Sequence, residues 1–149
     1  LIYLTKQSMK KLFTFILSLV LLSSCGPKMT QEVKESTITY QALSRGFYLN
    51  VEIKGNKMTL IRERQSLGKD YVLSNADFKE VSRLYQKVTL MELNDYKAPS
   101  EKRFYDGAAI GSLTVNYQGK IYNSQGFDHG NPPVEIAEFI NKIVSFTEN

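Results

Sequence analysis

The chain has 149 residues, 42% hydrophobic and 23% charged, which is the composition of one ordinary globular domain. That excludes collagen-like, low-complexity, disordered and disulfide-scaffold classes, and a single long apolar run excludes a multi-pass membrane protein. The formal net charge of +4 sits mostly at the start: residues 25–149 carry 16 basic against 15 acidic groups. A nucleic-acid partner is not expected, because its footprint needs a clustered basic surface.

Met9-Lys10-Lys11 opens a basic segment, and Leu12 to Leu22 forms a short apolar core. The core is too short to span a bilayer, which takes about 20 apolar residues. A basic start, a short apolar core and then small residues make the pattern of a secretory leader. This one ends in Leu22-Ser23-Ser24-Cys25. The ending resembles the lipobox of bacterial lipoproteins, in which the cysteine is acylated and becomes the first mature residue. The resemblance implies a lipid bilayer as partner through acylated Cys25, at the cell envelope. Gly26 lacks the aspartate that retains such proteins at the inner membrane, so the resemblance favours the outer membrane, facing the periplasm. A lone cysteine also excludes an internal disulfide and any CxxC redox or zinc site.

The organisation follows. Residues 1–8 read as a start-site artefact, 9–24 as the leader, 25–35 as anchor and polar tether, and 36–149 as one globular domain. Ser36 to Leu43 alternates as a strand. Phe47, Leu49, Val51 and Ile53 alternate on one face, and Gly55-Asn56 makes a two-residue hairpin turn. Pairing across it sets Ile53 opposite Met58 and Val51 opposite Leu60, all on that face. A helix starts at Ser74 as N-cap, with Asp77 completing a capping box and Leu73 and Phe78 a hydrophobic staple. Its apolar stripe is Phe78, Val81, Leu84, Tyr85 and Val88. Ala109 to Tyr117 and Lys120 to Gly126 are strands joined at Gln118-Gly119. The last helix is expected to open at Asn131 as N-cap with Pro132 at its first position. Its stripe is Ile136, Phe139, Ile140, Ile143 and Val144. The expected fold is α+β: a mainly antiparallel sheet of about five strands with two helices on one face, in the order βββαββα.

Enzyme signatures such as GxSxG, a P-loop, HExxH or GxGxxG after a strand are missing, and no cofactor or resident metal is expected. One constellation remains. The open end of the last hairpin brings Asp106-Gly107 beside Asp128-His129-Gly130, with Arg103 close in sequence and the amides of a helix starting at Asn131. Arg103, Asp106, Asp128, His129 and Asn131 are the candidate cluster. Structurally they would be turn dipeptides, an Asp–His pin and a helix cap. Functionally they would bind an anionic or sugar-like ligand or a partner peptide, or use Asp106, Asp128 and His129 in metal- or acid-base-dependent hydrolysis. Adjacent Asp128 and His129 oppose convergence, since neighbours in extended chain point to opposite faces. Arg62-Glu63-Arg64 and Glu101-Lys102-Arg103 read as solvated charge runs, and the tyrosines as packing residues rather than a carbohydrate platform.

Ala98-Pro99-Ser100, Asp106-Gly107-Ala108 and Phe127 to Pro133 are similar to small flavobacterial-type envelope lipoproteins, a group that supplies no reaction. The resulting expectation is a non-catalytic envelope module that binds a protein partner. The alternative is the small hydrolase.

Overall fold

A computed structural model describes residues 27–148; the leader and Cys25 lie outside the described residues. Helix α1 (Pro27–Glu35) leads without a loop into strand β1 (Ser36–Leu43). Strands β2 (Tyr48–Lys54), β3 (Lys57–Ile61) and β4 (Lys69–Val72) follow, then helix α2 (Asn75–Tyr85). Two 3-10 turns (Leu90–Glu92 and Lys102–Tyr105) precede β5 (Ile110–Tyr117), β6 (Lys120–Asn123) and β7 (Phe127–Asp128). A third 3-10 turn (Val134–Ile136) runs into helix α3 (Ala137–Ser145).

The strands form one antiparallel sheet in the order β4-β3-β2-β1-β5-β6, with β7 pairing the start of β5. The class is α+β. Strand alternation selects the core face. Ile38, Tyr40, Ala42, Leu49, Val51, Ile53, Met58, Leu60, Leu113 and Val115 are buried on one side. They pack with Val33 of α1, Val81, Leu84 and Tyr85 of α2, and Ile136, Phe139, Ile140 and Ile143 at α3. Each Val, Leu, Ile, Phe or Met among them stabilises the fold by about 1.5–3 kcal/mol when taken fully out of water. The hairpin register is the one the sequence dictates, Ile53 opposite Met58 and Val51 opposite Leu60. Ser74 caps α2 by accepting the Asp77 amide at 3.1 Å.

Three features depart from expectation. The segment read as a tether is helical over Pro27–Glu35, and its Val33 is fully buried. Strand β4 escapes a pattern search because only Tyr71 of its four residues packs on the core, while Lys69, Asp70 and Val72 are exposed. The last helix does not open at Asn131. Pro133 has an extended backbone, and the α-helix begins at Ala137. The cause is steric: a residue followed by proline is pushed out of the α region, and Asn131 and Pro132 both precede one. Among the described residues no helix is long and apolar enough to cross a membrane.

Candidate functional site

Asp128 ends β7 and is 1% exposed. Its carboxylate is the hub of the loop that precedes β5. Oδ2 accepts from the Ser100 hydroxyl at 2.6 Å and from the Lys102 amide at 2.8 Å. Oδ1 accepts from the Arg103 amide at 2.9 Å and from Arg103 Nη1 at 3.2 Å. The two amides open the 3-10 turn Lys102–Tyr105, whose own N-cap, Glu101, offers no side-chain bond. Asp128 therefore caps that turn from 25 residues away. Burial pushes its carboxyl up, but the Ser100 hydroxyl, the two amides and the Arg103 guanidinium outweigh that and hold it down at about 2.

Ser100 extends the network. Its hydroxyl accepts from Asn131 Nδ2 at 2.7 Å, and its carbonyl accepts from Arg103 Nη1 at 2.6 Å. The Arg103 guanidinium lies over the Phe104 ring at 4.2 Å, and its side chain is only 11% exposed. Arg103 therefore does not belong to a solvated charge run. Arg62 and Arg64 are also engaged, donating to the carbonyls of Thr147 and Ser44.

His129 faces the other way. Its ring lies between Tyr40 and Phe47, with centroids at 6.0 and 5.2 Å. Nδ1 is 2.6 Å from the Tyr40 hydroxyl. Burial lowers the imidazole and raises the phenol, so both favour their neutral forms, and either can donate in this bond. Gly111 makes room for this pair: a Cβ there would sit 2.8 Å from the Phe127 ring and 3.1 Å from the Tyr40 hydroxyl.

Asp106 stands apart. It is exposed, with φ of 58°, and its amide closes the 3-10 turn on the Lys102 carbonyl. Aspartate is among the few residues that tolerate that conformation. Of the candidate cluster, then, Arg103, Asp128 and Asn131 meet around Ser100, while His129 and Asp106 do not join them. The expected Asp–His pin is replaced by two separate pins. The amides of α3 do not point into the cluster either, because α3 starts six residues beyond Asn131. Among the described residues no three His, Cys, Asp or Glu side chains gather to hold a metal.

This arrangement has little chemical freedom. A carboxylate offers about four acceptor sites, and Asp128 uses four bonds on its own loop. It can neither bridge to a metal nor take a proton near neutral pH. Sequence reasoning missed Ser100, Tyr40 and Phe47. A serine after Pro99 at the head of a turn was the readable signal for the first; the other two depend on strand register. The tyrosines are dispersed, with Tyr40 and Tyr85 buried and Tyr105 71% exposed. Other grooves lie elsewhere: about 300 Å³ between Leu90–Asn94 and β6, about 310 Å³ between Leu84, Lys87, Val134 and Glu138, and about 460 Å³ between Lys34, Lys54, Gly55, Asn56, Asn75 and Phe78. No family model, curated protein or solved structure matches the chain.

Proposed function

We propose that the protein is a lipid-anchored cell-envelope protein whose single α+β domain is a non-catalytic binding or accessory module. The observation that supports this reading is the run from Met9-Lys10-Lys11 through the short apolar core to Leu22-Ser23-Ser24-Cys25. The first described element, α1, opens at Pro27, two residues past that cysteine, so acylation would hold the domain close to the bilayer. The favoured location is the outer membrane, facing the periplasm, by the residue at Gly26. A protein partner in the envelope fits the 100–107 loop, which Asp128 holds by its amides and which displays Phe104 and Tyr105, each 71% exposed.

The hydrolase reading needs Asp106, Asp128 and His129 together, and the geometry favours it less: Asp128 is saturated and His129 is turned onto Tyr40. The test is the intact mass of the protein extracted from membranes. The expected result is cleavage before Cys25 and a mass increment of acyl chains on that residue, with Cys25→Ala left unprocessed and unacylated. An unmodified Cys25 in the native protein overturns the reading.

A further inference from the structure

We infer that the end of the sheet where α1 joins β1, ringed by Lys34, Lys54, Lys57 and Lys120, is the face this domain lays on an anionic phospholipid surface. The inference rests on the anchor reading of Cys25 and adds an orientation to it.

Register puts the lysines together. Thr37, the second residue of β1, pairs with Lys54, and Lys54 pairs with Lys57 across the Gly55-Asn56 turn. Ser36 pairs with Tyr117, and Tyr117 with Lys120 across the neighbouring turn. Lys34 is the penultimate residue of α1, which enters β1 directly. It shares the groove of about 460 Å³ with Lys54, Asn56, Asn75 and Phe78. All four lysines are exposed. Among the ion pairs of the described residues none involves them; Lys120 Nζ lies 3.6 Å from the Met91 sulfur and over the Tyr122 ring, so Lys34, Lys54 and Lys57 are the lysines that carry the inference.

The arrangement is costly for an isolated domain. Like charges directly opposite on paired strands destabilise a sheet, and Lys54 faces Lys57 at a hairpin end. A surface of lipid phosphates would relieve that repulsion. Carboxylates also stand near this end: Glu32 and Glu35, which both act on the Tyr117 hydroxyl, Glu52 two residues before Lys54 on the same face of β2, and Asp77, which is paired with Lys142. On the helix, Glu32 is about 200° and Glu35 about 100° around from Lys34, so the lysine-bearing tips are Lys34 and the Lys54–Lys57 pair.

The anchor supplies the occupant. Cys25 is two residues before α1, so covalent reach alone keeps it within about 10 Å of the start of that helix. α1 is nine residues long, which at 1.5 Å per residue is about 13 Å. A lipid on Cys25 would hold the domain where this end can reach the headgroups. Each lysine near an anionic surface contributes about 1 kcal/mol, roughly fivefold in partitioning.

The experiment is vesicle flotation of residues 25–149 carrying Cys25→Ser, which keeps every core residue among the described ones and is first checked for a cooperative melt. Vesicles are phosphatidylcholine alone or with about 30% phosphatidylglycerol. The expected result is flotation with the anionic vesicles only, weakened by about 0.5 M NaCl. Lys34→Gln, Lys54→Gln and Lys57→Gln together should weaken partitioning about 100-fold. Their combined melting temperature should equal or slightly exceed that of the parent, which separates lost binding from lost folding. Equal flotation with both vesicle types, or a triple variant that floats like its parent, overturns the inference. The anchor reading is judged separately, by the acyl mass on Cys25 of the native protein.

Discussion

The Tyr40 hydroxyl on β1 hydrogen-bonds Nδ1 of His129, 89 residues away, across 2.6 Å. The bond ties the middle strand of the sheet to the segment after β7. This is the only histidine in the chain, so its titration can be read without assignment. Burial holds its folded pKa below the ordinary value of 6.5. The unfolded chain therefore binds the extra proton first as pH falls. The His129 contribution to stability is complete above about pH 6.5 and lost below it, down through the lowered folded value. Thermal melts should show this loss in the parent and not in His129→Gln. Tyr40→Phe removes the partner of Nδ1 but keeps the ring buried, so His129 should still titrate below 6.5 in proton NMR. The lost hydrogen bond should cost about 1 kcal/mol. A titration restored to 6.5 in Tyr40→Phe would put the phenol, and not burial, in control of this ring.

Asp128 makes a prediction in the acid range. Its folded pKa of about 2 lies below the ordinary 3.8. The stability it contributes is present above about pH 4 and lost as pH falls through about 2. Asp128→Asn keeps the shape but loses the charge. It leaves the Arg103 guanidinium, at 11% exposure, without its carboxylate. Its melting temperature at neutral pH should fall by roughly 10 °C or more. Amide exchange should quicken first at Lys102 and Arg103, whose amides the carboxylate holds. Exchange at those two amides unchanged from the parent would show that the loop stands without its cap.

The limits of the sequence reading follow from which forces are local. The β2–β3 hairpin was legible because alternation and a two-residue turn each demand the same register. The α2 start was legible because a cap, its third residue and a staple lie within six positions. Strand β4 was not, because an edge strand buries one side chain and can carry Lys69 and Asp70 on its open side. α1 was masked by its polar composition; Val33, fully buried, docks it. In the candidate site, the nearness of Arg103, Asp128 and Asn131 was readable from the hairpin. Their partner Ser100 was not, since the contact joins residues 28 apart through a loop with no period. The separation of His129 from Asp128 followed from strand alternation, which the sequence already contained.

Gly111 gives a packing test. It sits mid-sheet on β5, opposite Ala42 and beside Phe127. Phe127 is fully buried and its ring cannot swing into solvent. A methyl at 2.8 Å from that ring forces either the ring or the Tyr40 hydroxyl to move. Gly111→Ala should therefore destabilise by about 2 kcal/mol, an overpacking cost, and lower the melting temperature by roughly 10 °C. It should also disturb the His129 titration, because Tyr40 is the shared neighbour. A neutral Gly111→Ala would mean the sheet relaxes around Phe127 more freely than its burial implies.

Ser74 and Asn131 separate a real helix cap from an apparent one. Both residues have the sequence setting of an N-cap, Ser74 with Asp77 behind it and Asn131 with Pro132. Only Ser74 accepts a helix amide, that of Asp77, and its hydroxyl donates to the Asp77 carboxylate at 2.6 Å. Asp77 in turn holds Lys142 of α3 at 2.8 Å, so the cap also joins two helices. Asn131 is exposed and spends its side chain on Ser100. Ser74→Ala should cost about 1 kcal/mol, the usual value of a cap. Asn131→Ala loses one exposed bond and should cost no more than about 0.5 kcal/mol. Urea melts of the two variants decide the matter. A larger loss in Asn131→Ala would mean that its bond to Ser100 supports the buried Asp128 network and is more than an exposed contact.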